Sequence, residues 1–582
     1  MQTTPSAPAE VGHHPSPSTR PTVGRVLLAW LKIQLGAELF GMPGYRLTLR
    51  GRTPDGFLAA PHDVRSAKAA TGRAMLSGRF ALADARMSVQ GSGDPWNRPS
   101  PTRAFALQLH RFAWLPPLMT QGEDGAKEAL RLFLLWQKTF RNWTPFAWSP
   151  AVLPRRLIQL SGFARKLAAQ GTPEDSLIMA QSMSEQGRHL LRLHNDPATQ
   201  ATRAVALVIL GCVLAGRVGD GFRRKGLKRL PAALKRTVLA DGSHASRSPQ
   251  AALELLYDLM MLEDALAQRS QPVPASVEQA IQLLSRFVRV MSHPDGSLCA
   301  FQGAESLPED RIAPALVHTD NRADARAAAL PMALEQGRYH RLLGRSLSVY
   351  VDAGEARADA FGVAACDQPM NFEVSGGRDK LIVSPGWSPL QADRQAFRVI
   401  GAANGLSLGE DVILAPVSGR FGDLLDHALE GPRYKVRSRR VEAGESGALL
   451  ELEHDGWKPK YGMRHERRLY VDVQRDELRG EDRLTPIESR KDMPVAAPFA
   501  IRFLLHPEVQ ASLARDRKSI LLRGPGGRGW WLRHDARDVT LEENGVVFEG
   551  ASGRRTTMIA LRGTCRLDAP TRVRWKLSPA ES

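Results

Sequence analysis

The chain has 582 residues, of which 43% are hydrophobic and 24% charged; this is too long for one core and too apolar for a disordered polymer, so two large domains are the default. A formal net charge of +18 and a pI of about 10.1 favour a polyanionic partner, but do not choose among nucleic acid, anionic lipid headgroups and acidic polysaccharide. The four cysteines, Cys212, Cys299, Cys366 and Cys565, are too widely spaced for a compact metal motif or a disulfide framework.

Residues 1–22, rich in Pro, Ser, Thr and Ala, read as a disordered tail. Residues 26–42 are partly apolar but interrupted by Lys32, Gln34 and Glu38, which predicts an amphipathic helix rather than a signal segment or anchor. Residues 43–101 predict irregular structure with local strands at 45–50 and 78–83. Apolar residues three and four apart then predict helices over 126–142, 154–170, 173–193, 201–216, 227–239, 249–269 and 274–291. Short polar links join most of them, which suggests stacked antiparallel hairpins. Within 201–216 the most apolar run, 204–216, is too short to span a bilayer, so no transmembrane segment is expected. Ser248 is placed to cap a helix whose first residue is Pro249, so the preceding loop, Asp241 to Arg247, can project side chains.

Beyond about residue 340, short alternating runs bounded by Gly, Pro, Asp or Asn predict a β-sandwich. The clearest pair is the strand carrying Leu469 and Val471, a turn at Gln474 to Glu477, and a return strand from Leu478 to Asp482. The domains are therefore expected at 23–340, helical, and 341–582, a β-sandwich.

Several strings give these elements a family likeness. They are Asp241-Gly242-Ser243-His244 with Ser248-Pro249, the turn Asp295 to Gly303, Tyr339-His340-Arg341-Leu342, Asn371-Phe372-Glu373-Val374-Ser375, His454-Asp455-Gly456-Trp457 leading to His465-Glu466-Arg467 and Gly480-Glu481-Asp482, and Phe503 to Pro507. In this order they resemble the heparinase II/III family of polysaccharide lyases over roughly residues 105–578. The resemblance implies an incomplete α/α toroid of helical hairpins followed by an antiparallel β-sandwich, with a substrate groove between them. It also implies β-elimination on an acidic, uronate-containing polysaccharide: the carboxylate is neutralised, a base removes the C5 proton, and an acid protonates the leaving oxygen.

The catalytic positions depart from the family pattern. Ser246, Ala251 and Ala252 stand where members carry Glu and a Tyr-His pair, and Ala364, Cys366 and Gln368 replace an H-x-H-x-D string. Ala403 falls where a histidine commonly follows Arg-x-x-x-Ala, and Asn195-Asp196-Pro197 is the nearest match to an expected Asn-His. Cys366 is either a ligand or nucleophile or a small buried residue. The remaining catalytic candidates are His244, Tyr461 and His465, with Arg247, His454 and Arg467 as substrate-binding candidates. Each has a bland alternative: a cap, a turn, packing or a surface position.

His454, Asp455, His465 and His506 have metal-ligating chemistry but scattered spacing. No cofactor is therefore expected, and a bound zinc or calcium ion is left open. The basic clusters 217–236 and 433–440 suit a polyanion or are simply solvated faces. With no nucleic-acid-binding motif in the chain, acidic polysaccharide is the expected partner. The resemblance implies the cell envelope or periplasm; without a convincing signal peptide, the cytoplasm is the other location. Two readings stand: a lyase with altered residues, or a weakened or inactive polysaccharide-binding or envelope-assembly protein on the same scaffold.

Overall fold

The computed structural model describes residues 23–580 except 90–92, 195, 321–329, 392–393, 443–445, 489–493 and 551; the expected tail 1–22 and Asn195 lie outside the described residues. The N-terminal domain is an α/α toroid. Its main helices are Gly122–Phe140, Leu153–Ala168, Pro173–Arg192, Pro197–Val213, Gly216–Thr237, Pro249–Ala267 and Ala275–Val290. They follow the predicted set closely because each carries an apolar stripe into one continuous core, with Trp136, Leu157, Leu210, Leu256 and Ile281 fully buried.

The sequence reading failed at two places. Residues 45–50 form the short helix Tyr45–Leu49, in which Tyr45 and Leu49, four apart, are the buried pair. The helix expected to begin at residue 227 begins at Gly216. Two of the glycines in its first half lie against the backbone of helix Pro197–Val213: a Cβ on Gly226 would come within 2.9 Å of the Val208 nitrogen, and one on Gly219 within 2.9 Å of the Gly211 carbonyl oxygen.

Helix Val23–Gly41 forms as expected, but it is not cleanly amphipathic. Leu27, Leu28, Trp30, Leu31, Ile33, Leu35 and Leu39 are all exposed and spread around most of its circumference. Phe40, near its C-terminus, packs on Tyr45, Trp143 and His189. Among the described residues no helix is long and apolar enough to cross a membrane.

The C-terminal domain is a β-sandwich whose paired strands are antiparallel among the described residues. An eight-stranded sheet runs Val436–Glu442, Gly447–His454, Met463–Asp472, Glu477–Pro486, Thr571–Pro579, Gly529–His534, Ser519–Arg523, Gln510–Leu513. A four-stranded sheet, Asp538–Glu549, Ser552–Arg566, Ala496–Leu504 and Leu406–Leu408, is linked through the Ile382–Leu505 bridge to a five-stranded sheet from Ala333–Leu334 to Asp379–Ile382. In the central pair Leu469 faces Gly480 and Val471 faces Leu478. On the buried face of the same strand, His465 and Arg467 join Met463, Leu469 and Val471.

The five-stranded sheet fastens the domains together. Tyr339 and Tyr350 reach into the toroid core, and Asp241 accepts the backbone N–H groups of Gln336 and Gly337 at 2.8 Å each.

Candidate functional site

Two Asp-Gly-Ser turns lie where the domains meet. Asp241 Oδ1 accepts the Ser243 N–H at 3.1 Å, and Asp295 Oδ1 accepts the Ser297 N–H at 2.9 Å. Gly242 is required between them because its φ is +88° and a Cβ would lie 2.3 Å from the Leu283 carbonyl oxygen. The first turn leads through His244 to Ser248, whose Oγ accepts the Ala251 N–H at 3.3 Å, the predicted cap.

Between toroid and sandwich lies a groove of about 1460 Å³. His244, Ser248, Gln250, Ala251 and Glu254 line one part of it, and Ala364, Lys380, His506 and Glu549 another. Among the described lining residues are eight Lys or Arg and seven Asp or Glu, so the groove is nearly charge-balanced and the chain's basic excess lies elsewhere. Much of its charge is paired internally. Arg65 lies 2.6 Å from Asp258, 3.1 Å from Glu254 and 2.9 Å from Asp63, and Arg155 lies 2.6 Å from Asp258. Burial pushes the Glu254 carboxyl up, but Arg65, Arg155 and Arg311 reverse this and bring it down to about 2. On the other side His506 Nε2 lies 3.2 Å from Glu549, whose carboxyl is held at about 2, first by that histidine and then by Arg554 against burial.

Of the six residues singled out in sequence, only His244 lines the groove. It is 8% exposed; its Nδ1 lies 2.7 Å from Ser246 Oγ and accepts the Ser246 N–H, and burial lowers its pKa to about 4. The imidazole is therefore neutral at pH 7 with Nδ1 engaged. Arg247 is buried and points away from the groove lining. It pairs with Asp352, donates to the Gly337 and Glu355 carbonyls at 3.0 and 2.8 Å, and lies over the Tyr339 ring.

The other four belong to the sandwich interior. His454 Nε2 lies 3.1 Å from His465 Nδ1, and His465 Nε2 lies 2.8 Å from Asp482. Asp482 also accepts from Arg467 Nε at 2.8 Å and Trp575 Nε1 at 2.9 Å. Burial acts against the Asp482 carboxylate, yet Arg467 and His465 hold it well below the usual carboxylate range. Burial, then the neighbouring His465 and Arg467, push His454 well below its ordinary value. Arg467 Nη1 also donates to the Met370 and Asn404 carbonyls at 3.0 and 2.7 Å. Tyr461 ends a short helix, and its hydroxyl donates to Asp411. These residues belong to the buried core and not to the groove lining.

The substituted family positions are also located. Ala251 and Ala364 present methyl groups to the groove, Ala252 and Ala403 are buried, and no tyrosine lines the groove among the described residues. Cys366 is buried, with its thiol pushed up to about 11 by burial.

The scattered candidate ligands are not assembled: His506 lies in the groove, away from the His454–His465 pair. Among the described residues one group of three does converge, His293, Cys299 and Glu373. In sequence Cys299 and Glu373 carry only turn and strand signals, and the convergence has no local trace because Glu373 is 80 positions from His293.

The basic clusters also differ. Strand Val436–Glu442 spends Arg437 and Arg439 on Glu453 and Glu451. Helix Gly216–Thr237 instead exposes Arg217, Arg224, Lys225, Lys228, Arg229, Lys235 and Arg236, and Asp220 is its one acidic residue.

Residues 327–576 match the family model described as Heparinase II/III-like, C-terminal. FtsZ-localized protein C of Caulobacter vibrioides (strain NA1000 / CB15N) is 41% identical over 551 residues, 94% of each chain. Among solved structures, Heparinase III superposes with a TM-score of 0.68 at 13% identity, covering 96% of this chain and 92% of that one. A mutant of heparan sulfate lyase HepC from Pedobacter heparinus gives 0.56 at 15% identity, covering 96% and 91%; both likenesses concern the fold. With its toroid, sandwich and ordered motifs, the chain belongs to the heparinase II/III-like family.

Proposed function

We propose that this chain is a catalytically inactive member of the family, working as a cell-envelope assembly protein where FtsZ is found rather than as a polysaccharide lyase. The observation that carries this reading is the groove itself. β-Elimination needs a base at C5, an acid at the leaving oxygen and a group that neutralises the uronate carboxylate. Here Ala251 and Ala364 stand at family catalytic positions, the His244 imidazole has Nδ1 engaged by Ser246, and Arg65 and Arg155 are already paired with acids.

The likeness to the Caulobacter protein supports the FtsZ association. Surfaces outside the groove suit an assembly role: the exposed cationic face of helix Gly216–Thr237 for a polyanion, including acidic polysaccharide, and the exposed apolar helix Val23–Gly41 for attachment. A fluorescent fusion in the native cell tests the reading. It is expected to follow FtsZ and to do so unchanged when Ala251→Trp, on the groove lining, fills the groove; a position independent of FtsZ would overturn it.

A further inference from the structure

We infer that His293, Cys299 and Glu373 form a binding site for a divalent transition-metal ion of zinc type at the seam between the two domains. The three donor atoms lie within 4.8 Å of one another and all three residues are buried. His293 Nε2 faces both partners, 3.5 Å from Cys299 Sγ and 2.6 Å from Glu373 Oε2. Bonds of about 2.0–2.3 Å at a tetrahedral angle separate donors by roughly 3.5 Å, so the nitrogen and sulfur already have the spacing zinc requires and the carboxylate needs to retreat by about 1 Å.

The surroundings orient each ligand. His293 Nδ1 lies 2.7 Å from Ser375 Oγ, which fixes the ring and leaves Nε2 as the inward nitrogen. Glu373 Oε1 accepts the N–H groups of Ala300 at 3.0 Å and Ser384 at 3.2 Å, leaving Oε2 as the inward oxygen. Mixed sulfur, nitrogen and oxygen donors suit zinc or cobalt better than calcium or magnesium.

Metal entry releases the Cys299 thiol proton to solvent and leaves the imidazole proton on Nδ1, where Ser375 Oγ accepts it. Thiolate and carboxylate then neutralise the dication, and water takes the fourth position. His293 and Cys299 flank the second Asp-Gly-Ser turn and Glu373 sits on sandwich strand Phe372–Gly376, so the ion would join toroid to sandwich. The site uses none of the positions, Ala364, Cys366 and Ala403, at which the family places histidines.

The test is metal analysis of the tag-free, full-length chain after dialysis against excess zinc, followed by replacement with cobalt(II). The expected result is about one equivalent per chain and a thiolate-to-cobalt charge-transfer band, both falling at least tenfold in Cys299→Ser and Glu373→Gln and persisting in Cys366→Ser. Circular dichroism establishes that each variant is folded. Should Cys299→Ser fail to fold, cysteine-selective alkylation of the folded wild type before and after zinc removal replaces it, with protection of Cys299 by zinc expected. Absence of stoichiometric metal in the wild type, equal loading in both ligand variants, or alkylation of Cys299 indifferent to zinc would overturn the inference.

Discussion

The groove and the sandwich interior carry the same family's motifs and have had opposite fates. In the sandwich, His454, His465, Asp482, Arg467 and Trp575 are linked bond by bond and closed to solvent. In the groove Ala251 and Ala364 line the wall and the charged residues largely neutralise one another. Removing one partner of a buried ionic network leaves the other charge uncompensated, whereas the alanines of the groove carry no such penalty, so the two regions should respond very differently to substitution.

The largest expected contrast comes from cutting the network. Asp482→Ala leaves Arg467 buried without its counter-ion and should lower stability by about 3–5 kcal/mol, while His244→Ala in the groove should cost no more than about 1–2 kcal/mol. Urea midpoints of the two variants measure this, and equal losses would break the comparison.

The next effect is acid lability. Burial holds His244, at about 4, and His454 below the ordinary imidazole value of 6.5. Their contribution is complete above 6.5 and is lost as pH falls, for His244 over the window from 6.5 to 4. Each such histidine removes up to ~1.4 kcal/mol per pH unit. Glu254, whose pKa falls from 4.5 to about 2, loses its contribution over that lower window. Unfolding midpoints from pH 7 to 4 should fall steadily, and His244→Gln should flatten the upper part of the curve.

The smallest effect on stability belongs to the surface. Replacing Arg224, Lys225 and Lys228 with Ser should change stability by less than about 0.5 kcal/mol each but weaken retention on an immobilised polyanion. Arg437→Ser with Arg439→Ser should leave retention nearly unchanged, because those side chains are already paired with Glu453 and Glu451. Salt gradients distinguish the two faces.

The helices and most strands were legible because periods of 3.6 and 2 record which side chains face a core. Tyr45 to Leu49 misled because five residues fit either period, and what decides for helix is that Leu47 is exposed between the buried Tyr45 and Leu49. The Gly216 start was hidden because close helix approach replaces apolar residues with glycine. In the sandwich, His465 and Arg467 looked like groove donors because polar residues in an alternating strand are normally outward. They point inward, and Asp482, which makes that possible, was in the quoted motif without being recognised as their partner. The convergence of His293, Cys299 and Glu373 depends on the domain seam and has no local sequence signal.

The most direct test of the central claim is an assay of the folded wild-type chain at high concentration against heparan sulfate and other uronate-containing polysaccharides, following unsaturated-uronate absorbance beside an active heparinase III. The account predicts no product above the rate without protein. Catalytic turnover that His244→Ala abolishes would contradict it and restore the groove as an active site.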